Sequence, residues 1–346
     1  MRPFFPAALL LLAAATPILA DAPDAAVTRM RDACAKPEAP GDQVDACTRY
    51  IDTQRPQGRE LAQALYQRGL GYAAQGSYRD AVRDFSQALK FAPGSTDALY
   101  NRGGAYSKLA QWDAALADFN ALLKIVPDDP DTLYARAWVQ AQRGKDASAI
   151  KDLDTVLAAA PDDQEALLDR GGLNIRAGHY EDAIRDFGHL LKLDPNAAAA
   201  AYNRGRAYYL KQDFGNAAED FALALKLRAD NPYAALRLYL SRSQLGKGDA
   251  TTLKKGIEAL DPAIWPRPLL ELFAGTGTDP ALLAGIKQLP ARQRTDVLCE
   301  AQYYLGERAL LKGDKKAARD YFAAAAASAS TTPEHIDAKA ALGRLE

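Results

Sequence analysis

The chain is short of the residues most chemistry needs. It has three histidines and three cysteines in 346 residues. His179, His189 and His335 fall in no H-E-x-x-H pattern, and no paired C-x-x-C occurs, so the spacing of a zinc site is missing. No phosphate-cradling loop and no nucleophile elbow is present. The run GTGTDP from Gly275 follows no strand and reads as a loop. An excess of one charge is also missing. The 43 Lys+Arg stand against 44 Asp+Glu, which leaves no basic surplus of the kind that recruits nucleic acid or a membrane surface. Catalytic residues, metal ligands and cofactors are therefore all expected to be none.

Long apolar runs are missing beyond the start. Arg2 precedes an apolar stretch over residues 7–15, too short to span a bilayer as a mature helix. It leads to Ala20, with Asp21 after it. The reading is a signal peptide over 1–20, cut after Ala20. A cut after Ala22 would place Pro23 behind it, and a frayed N-terminal helix is the other alternative. No cysteine lies near the cut to carry a lipid. The mature protein is then expected to be exported and soluble, with no integral membrane segment, in the periplasm of a Gram-negative bacterium. In such a compartment Cys34 and Cys47 are the natural disulfide, two free buried thiols being the alternative. Cys299 reads as a small buried apolar residue.

What the chain has in abundance is repetition. A small-residue column holds Gly69, Gly103, Ala137, Gly171 and Gly205, and every step is 34 residues. Pro93, Pro127, Pro161 and Pro195 keep the same step, as do Ala81, Ala115, Ala149, Ala183 and Ala217. So do Phe85, Phe119, Leu153, Phe187 and Phe221. Small residues let two helices approach, the large apolar column fills the space between them, and each proline stops a second helix. Each large side chain contributes ~1.5–3 kcal/mol by burial. Gly76, Gly144 and Gly178 mark the turn inside a helix pair.

These columns resemble the tetratricopeptide repeat (TPR) family. The resemblance implies an all-α, right-handed superhelical solenoid of antiparallel helix pairs, about seven of them here. It covers residues 62–230 as five units. Residues 21–61 read as an atypical N-terminal helix pair, and 231–295 as a degenerate repeat with a Pro/Gly-rich connector. Residues 296–346 read as a final unit followed by a solvating cap helix. The C-terminal arrangement also loosely resembles exported bacterial TPR adaptors of the NlpI type, which gather cell-wall hydrolases and a protease. Those are lipoproteins, and this chain lacks the lipid-bearing cysteine.

A second set of columns carries charge. Arg68, Arg102, Arg136, Arg170 and Arg204 are each followed 16 residues later by Asp84, Asp118, Asp152, Asp186 and Asp220. In the last unit both are gone, with Leu305 and Tyr321 in their places. Joint loss suggests that the charges satisfy each other, since an unpaired buried arginine is costly and its planar fork suits a carboxylate. Ligand binding by the arginines is the alternative.

In TPR proteins the groove-facing positions lie just before this arginine and further along the same helix. Here they hold Tyr66, Tyr100, Asn101, Lys108, Tyr134, Trp138, Tyr202, Asn203, Arg206 and Tyr209. An asparagine amide can pair with an extended peptide backbone, and tyrosine offers contact area plus a hydroxyl. The tyrosines could equally pack on the neighbouring helix. The implied function is a non-catalytic exported adaptor that holds a protein or peptide, with no nucleic acid and with a homo-oligomer left open. A structural assembly subunit and a glycan or small-ligand carrier are the alternatives.

Overall fold

The structure, a computed structural model, describes residues 23–35, 40–258, 260–261 and 265–345. The expected signal peptide over 1–20 lies outside them. Every regular element among the described residues is a helix. The chain divides into two compact units, Met1–Ala166 and Leu167–Glu346.

Unit 1 contains α1 (Pro23–Ala35), α2 (Pro40–Gln54), α3 (Gly58–Ala74), α4 (Tyr78–Phe91), α5 (Thr96–Lys108), α6 (Trp112–Ile125), α7 (Pro130–Gln142) and α8 (Asp146–Ala159). Consecutive helices pack together, and the first helices α3, α5 and α7 also touch in sequence. Cys34 and Cys47 are both buried and join α1 to α2 by a disulfide. Tyr50, buried beside them, donates its hydroxyl to Glu60 at the start of α3.

The helix ends follow from local chemistry. Ser95 accepts from the Ala98 N–H at the start of α5, and Asp129 accepts from the Thr132 N–H at the start of α7. Pro130 occupies the first turn of α7, where its missing N–H costs nothing. The turn within each pair needs a left-handed residue. Gly76, Gly144, Gly178 and Gly246 supply it at φ of 76°, 69°, 79° and 70°. At the equivalent places Ala110 (φ 55°) and Gln212 (φ 68°) carry the same conformation, at a cost of ~1–2 kcal/mol each.

Packing inside a pair is set by the small and large columns. A Cβ built on Gly69 or Gly103 would lie 2.6 or 2.7 Å from the ring of Phe85 or Phe119. Where the glycine becomes Ala137, the ring becomes Leu153, and both are buried. The two columns thus exchange volume across one contact.

Unit 2 takes up most of α9 (Gln164–Ala177), then α10 (Tyr180–Leu193), α11 (Ala198–Leu210), α12 (Phe214–Leu227), α13 (Pro232–Gln244) and α14 (Thr251–Glu258). The Pro/Gly-rich connector forms α15 (Arg267–Phe273) and α16 (Asp279–Lys287). Leu269, Leu270, Leu272 and Phe273 of α15 are buried in one core with Tyr303, Tyr304 and Phe322. That core is completed by α17 (Ala291–Leu311), α18 (Lys315–Ala326) and α19 (Pro333–Gly343). Cys299 is buried, its thiol donating to the Ala325 carbonyl at 3.5 Å.

The helix that opens the final unit begins at Ala291, because α17 is a 21-residue helix with extra turns before its repeat columns. α19 packs against α11, α17 and α18, with Glu334, Asp337, Ala338 and Ala341 buried. Two buried acids need cations, and the first helices of unit 2 provide them.

Candidate functional site

Each arginine of the repeated column donates to its own aspartate through both arms of its fork. Arg102 Nε and Nη2 lie 2.8 and 2.7 Å from Asp118 Oδ2 and Oδ1. Arg68–Asp84, Arg136–Asp152, Arg170–Asp186 and Arg204–Asp220 repeat the geometry. The aspartates are buried and the arginines retain a partly open edge. The bond to Asp118 raises Arg102 above the ordinary arginine value, against the opposing pull of burial.

The third nitrogen looks the other way. Arg68, Arg102 and Arg136 use Nη1 to reach Thr48, Ser86 and Asn120 on the second helix of the preceding pair. Each of these arginines therefore joins its own pair to the one before it. At the matching place before Arg204 stands Gly188, which offers no side-chain acceptor.

The residues expected to face a partner separate into three situations. Some are packed. Tyr66 and Tyr100 rest against Phe85 and Phe119, with ring centroids 5.8 and 6.1 Å apart. Tyr134 is buried, and Tyr202 meets Phe221 edge-on. Some stay at the surface of unit 1. Lys108 is exposed, and Trp138 is half-buried against Trp112. Asn203 is half-buried in unit 2.

Asn101 stands apart within unit 1. Its amide nitrogen donates to the Tyr66 hydroxyl at 3.2 Å and to the Asp97 carbonyl at 2.8 Å. Its Oδ1 is buried and has no partner among the described residues. Burial and the nearby Asp97 push the Tyr66 hydroxyl up to about 12, so it remains a neutral phenol that can both donate and accept. Gln43 Nε2 of α2 donates to Gln67 Oε1 of α3 at 3.0 Å.

In unit 2 Arg206 and Tyr209 are corrected from surface to interior, because α19 meets Arg206 while Tyr209 packs on Phe214 of α12 and reaches α17. Arg206 donates to both oxygens of Asp337, with Nη2–Oδ1 at 2.6 Å, and also to the Pro333 carbonyl. Tyr209 donates its hydroxyl to Glu307 Oε2 at 2.6 Å. Arg237, fully buried, completes the cluster by donating to Asp337 Oδ2 at 2.6 Å and Glu334 Oε1 at 3.1 Å. Its guanidinium carbon lies 5.3 and 5.6 Å from the ring centroids of Tyr303 and Tyr304. Burial alone would raise the Asp337 carboxyl, but Arg206 and Arg237 overcome it and hold the group below its ordinary value. Glu307 is the opposite case: burial raises it, with Tyr209 and the arginines only partly offsetting.

Sequence reading did not single out Arg237, Glu334 or Asp337. A signal was available. Arg237 sits 34 residues after Asn203, in the groove column, yet no acid follows 16 residues later. Glu334 and Asp337, three apart on a terminal helix, were the unspent acids.

Tetratricopeptide repeat models match residues 66–130, 103–168 and 168–234. No protein of curated function matches the chain. A tetratricopeptide repeat protein from Parabacteroides merdae is 18% identical over 83% of this chain and 99% of its own, with a TM-score of 0.50. YrrB, described as a TPR protein with an unusual peptide-binding site, is 21% identical over 55% of this chain and 96% of its own, at a TM-score of 0.49. PilW, a type IV pilus biogenesis factor, is 22% identical over 57% and 90%, at 0.46. At 18% identity the likeness to the Parabacteroides merdae protein is one of fold.

Proposed function

Because this chain belongs to the tetratricopeptide repeat family, matched over residues 66–234, we propose that it is a non-catalytic scaffold that holds a protein or peptide on the first-helix face of unit 1. The observation that carries this reading is the buried, unpartnered Oδ1 of Asn101. A buried acceptor left without a donor costs about 1–3 kcal/mol. An extended peptide supplies the missing donor as a backbone N–H, and the Tyr66 hydroxyl beside it can take part in the same contact. Trp138 and Lys108 add apolar area and charge further along the face.

The scaffold is further proposed to be exported to the periplasm and to serve envelope enzyme complexes. The leader-like start supports export, and so does the Cys34–Cys47 bond, since disulfides persist in oxidising compartments. No helix among the described residues is long and apolar enough to cross a membrane.

Photocrosslinking from position 108 in intact cells tests the reading. One dominant crosslinked protein is expected, and Asn101→Ala together with Trp138→Ala is expected to abolish it while the circular dichroism stays helical. Capture undiminished by the double substitution would overturn it. A second reading, assembly between copies through the second-helix ends, is favoured by the exposed Phe91, Ile125 and Val126. Light scattering separates the two: a strict monomer at cell-like concentration removes the assembly reading.

A further inference from the structure

Unit 1 exposes an apolar stripe. Phe91 and Ile125 end the second helices α4 and α6, 34 residues apart, and Val126 follows Ile125. Their exposures are 47%, 49% and 41%. Side chains of this size, exposed in one repeated column, mark an interaction surface. The turns that follow them are acidic. Residues 90–97, 124–131 and 158–165 hold seven acids against two lysines. Capping does not require this charge. Asp129 and Asp163 accept the Thr132 and Ala166 N–H groups, but Ser95 and Asn231 do the same work uncharged at α5 and α13. Nor does the repeat require it. The matching turns of unit 2, residues 192–199 and 226–233, hold two acids and three bases, although Leu193 is exposed in the stripe's column.

Unit 2 carries the opposite feature at the turn between α13 and α14. Leu245 is 45% exposed there. Residues 242–255 hold Arg242, Lys247, Lys254 and Lys255, with Asp249 as the one acid. Asp249 is engaged locally, accepting from the N–H and the hydroxyl of Thr251. Gly246, at φ 70°, and the Lys247 N–H, which donates to the Arg242 carbonyl at 2.8 Å, fix the turn. Leu245 is thus a fixed apolar knob on a basic turn.

We propose that these features are the two halves of one interface: the Leu245 knob of one copy of the chain docks on the Phe91–Ile125–Val126 stripe of another. This rests on the reading of the second-helix ends as an assembly surface, and gives it a counterpart and a direction. Charge sets the direction. Stripe against stripe, about a two-fold axis, brings acidic turns onto acidic turns. Knob against stripe brings Lys247, Lys254 and Lys255 toward Asp128, Asp131 and Asp162 around an apolar centre. The contact is heterologous. A dimer keeps one knob and one stripe unused, so assembly grows head to tail or closes into a ring. The surface is apart from the first-helix face, and the peptide-binding reading of Asn101 does not depend on it.

Two charge-reversed chains test this by light scattering over a concentration series. One carries Lys247→Glu with Lys254→Glu, and the other Asp128→Lys with Asp162→Lys. The parent is expected to grow beyond a dimer with concentration and to dissociate as salt is added. Each reversed chain alone should be a monomer. In an equal mixture the reversed knob meets the reversed turns and the native knob meets the native ones, so assembly should return. That recovery also shows that both chains are folded. Phe91→Ser with Ile125→Ser should weaken self-association of the parent roughly tenfold or more. A parent that is a strict monomer at cell-like concentration removes the assembly reading and this proposal together. A reversed-knob chain that assembles as well as the parent keeps the assembly reading and overturns the knob. A mixture that stays monomeric while the parent assembles overturns it too.

Discussion

Both units pair arginines with buried carboxylates, but they recruit them over different stretches of chain. In unit 1 each pairing closes over 16 residues, inside one helix pair, and repeats at Arg68, Arg102 and Arg136. In unit 2 the same rule holds at Arg170 and Arg204, and a second one is added. There Arg206 and Arg237 share Asp337, drawn from the end of the chain. Local pairs make a stack uniform. The long-range cluster makes one part of it conditional on the position of a single helix.

The largest test of this contrast compares two aspartates. Asp118→Ala leaves the partly open Arg102 without its carboxylate and should cost up to ~3–5 kcal/mol, read by chemical denaturation. Asp337→Ala removes the carboxylate that Arg206 and Arg237 share, and should loosen α19 first. Hydrogen exchange should then rise over residues 333–343 and leave α11 and α13 protected. Equal global losses would erase the difference. Acid should mimic the second change. Asp337 is held below its ordinary value, so its stabilisation is present above that value. It is lost as pH falls through the lower, folded one.

Next comes packing, which both units share. Gly103→Ala drives a Cβ to within 2.7 Å of the Phe119 ring, and should cost about 1–3 kcal/mol. Adding Phe119→Leu reproduces the Ala137–Leu153 arrangement and should recover part of that loss. A double-mutant cycle with no coupling would break the exchange of volume inferred above.

A buried acid distinguishes unit 2 again. Glu307 accepts from Tyr209 through one oxygen, and the other has no partner. Glu307→Gln should stabilise the chain by about 1 kcal/mol at neutral pH by removing a poorly satisfied buried charge. Because burial raises the Glu307 carboxyl, its protonated form is the one folding favours. The gain should therefore vanish in acid, below the unfolded value near pH ~4.3. The smallest effect is expected at Gly188. A Cβ there lies 3.6 Å from Arg204 Nη1, so Gly188→Ser restores an acceptor and a better helix former. A gain of about 1 kcal/mol or less is expected in thermal melts.

The helix pairs and the 16-residue ion pairs were legible because each is a local event repeated at a constant step. Gly69 with Phe85 and Arg68 with Asp84 can be paired by arithmetic alone. The Tyr66–Asn101 bond crosses one repeat and could have been suspected from their columns. The fate of Arg206 and Tyr209 could not, because it depends on where helices 131 and 98 residues later come to rest. No periodicity encodes that placement. Its trace was compositional: arginines outside the ladder and acids without a column.

The two spacings of 16 have a consequence for inheritance. Arg102 to Asp118 and Gly103 to Phe119 span nearly the same interval, so a crossover anywhere between them would separate both couples at once. A crossover at Pro93 or Pro127 separates neither, and parts an arginine only from the preceding pair's Ser86 or Asn120. Duplication and shuffling of this gene are thus cheapest at the prolines, and each segment so moved arrives with its own counter-ion and its own cavity filler.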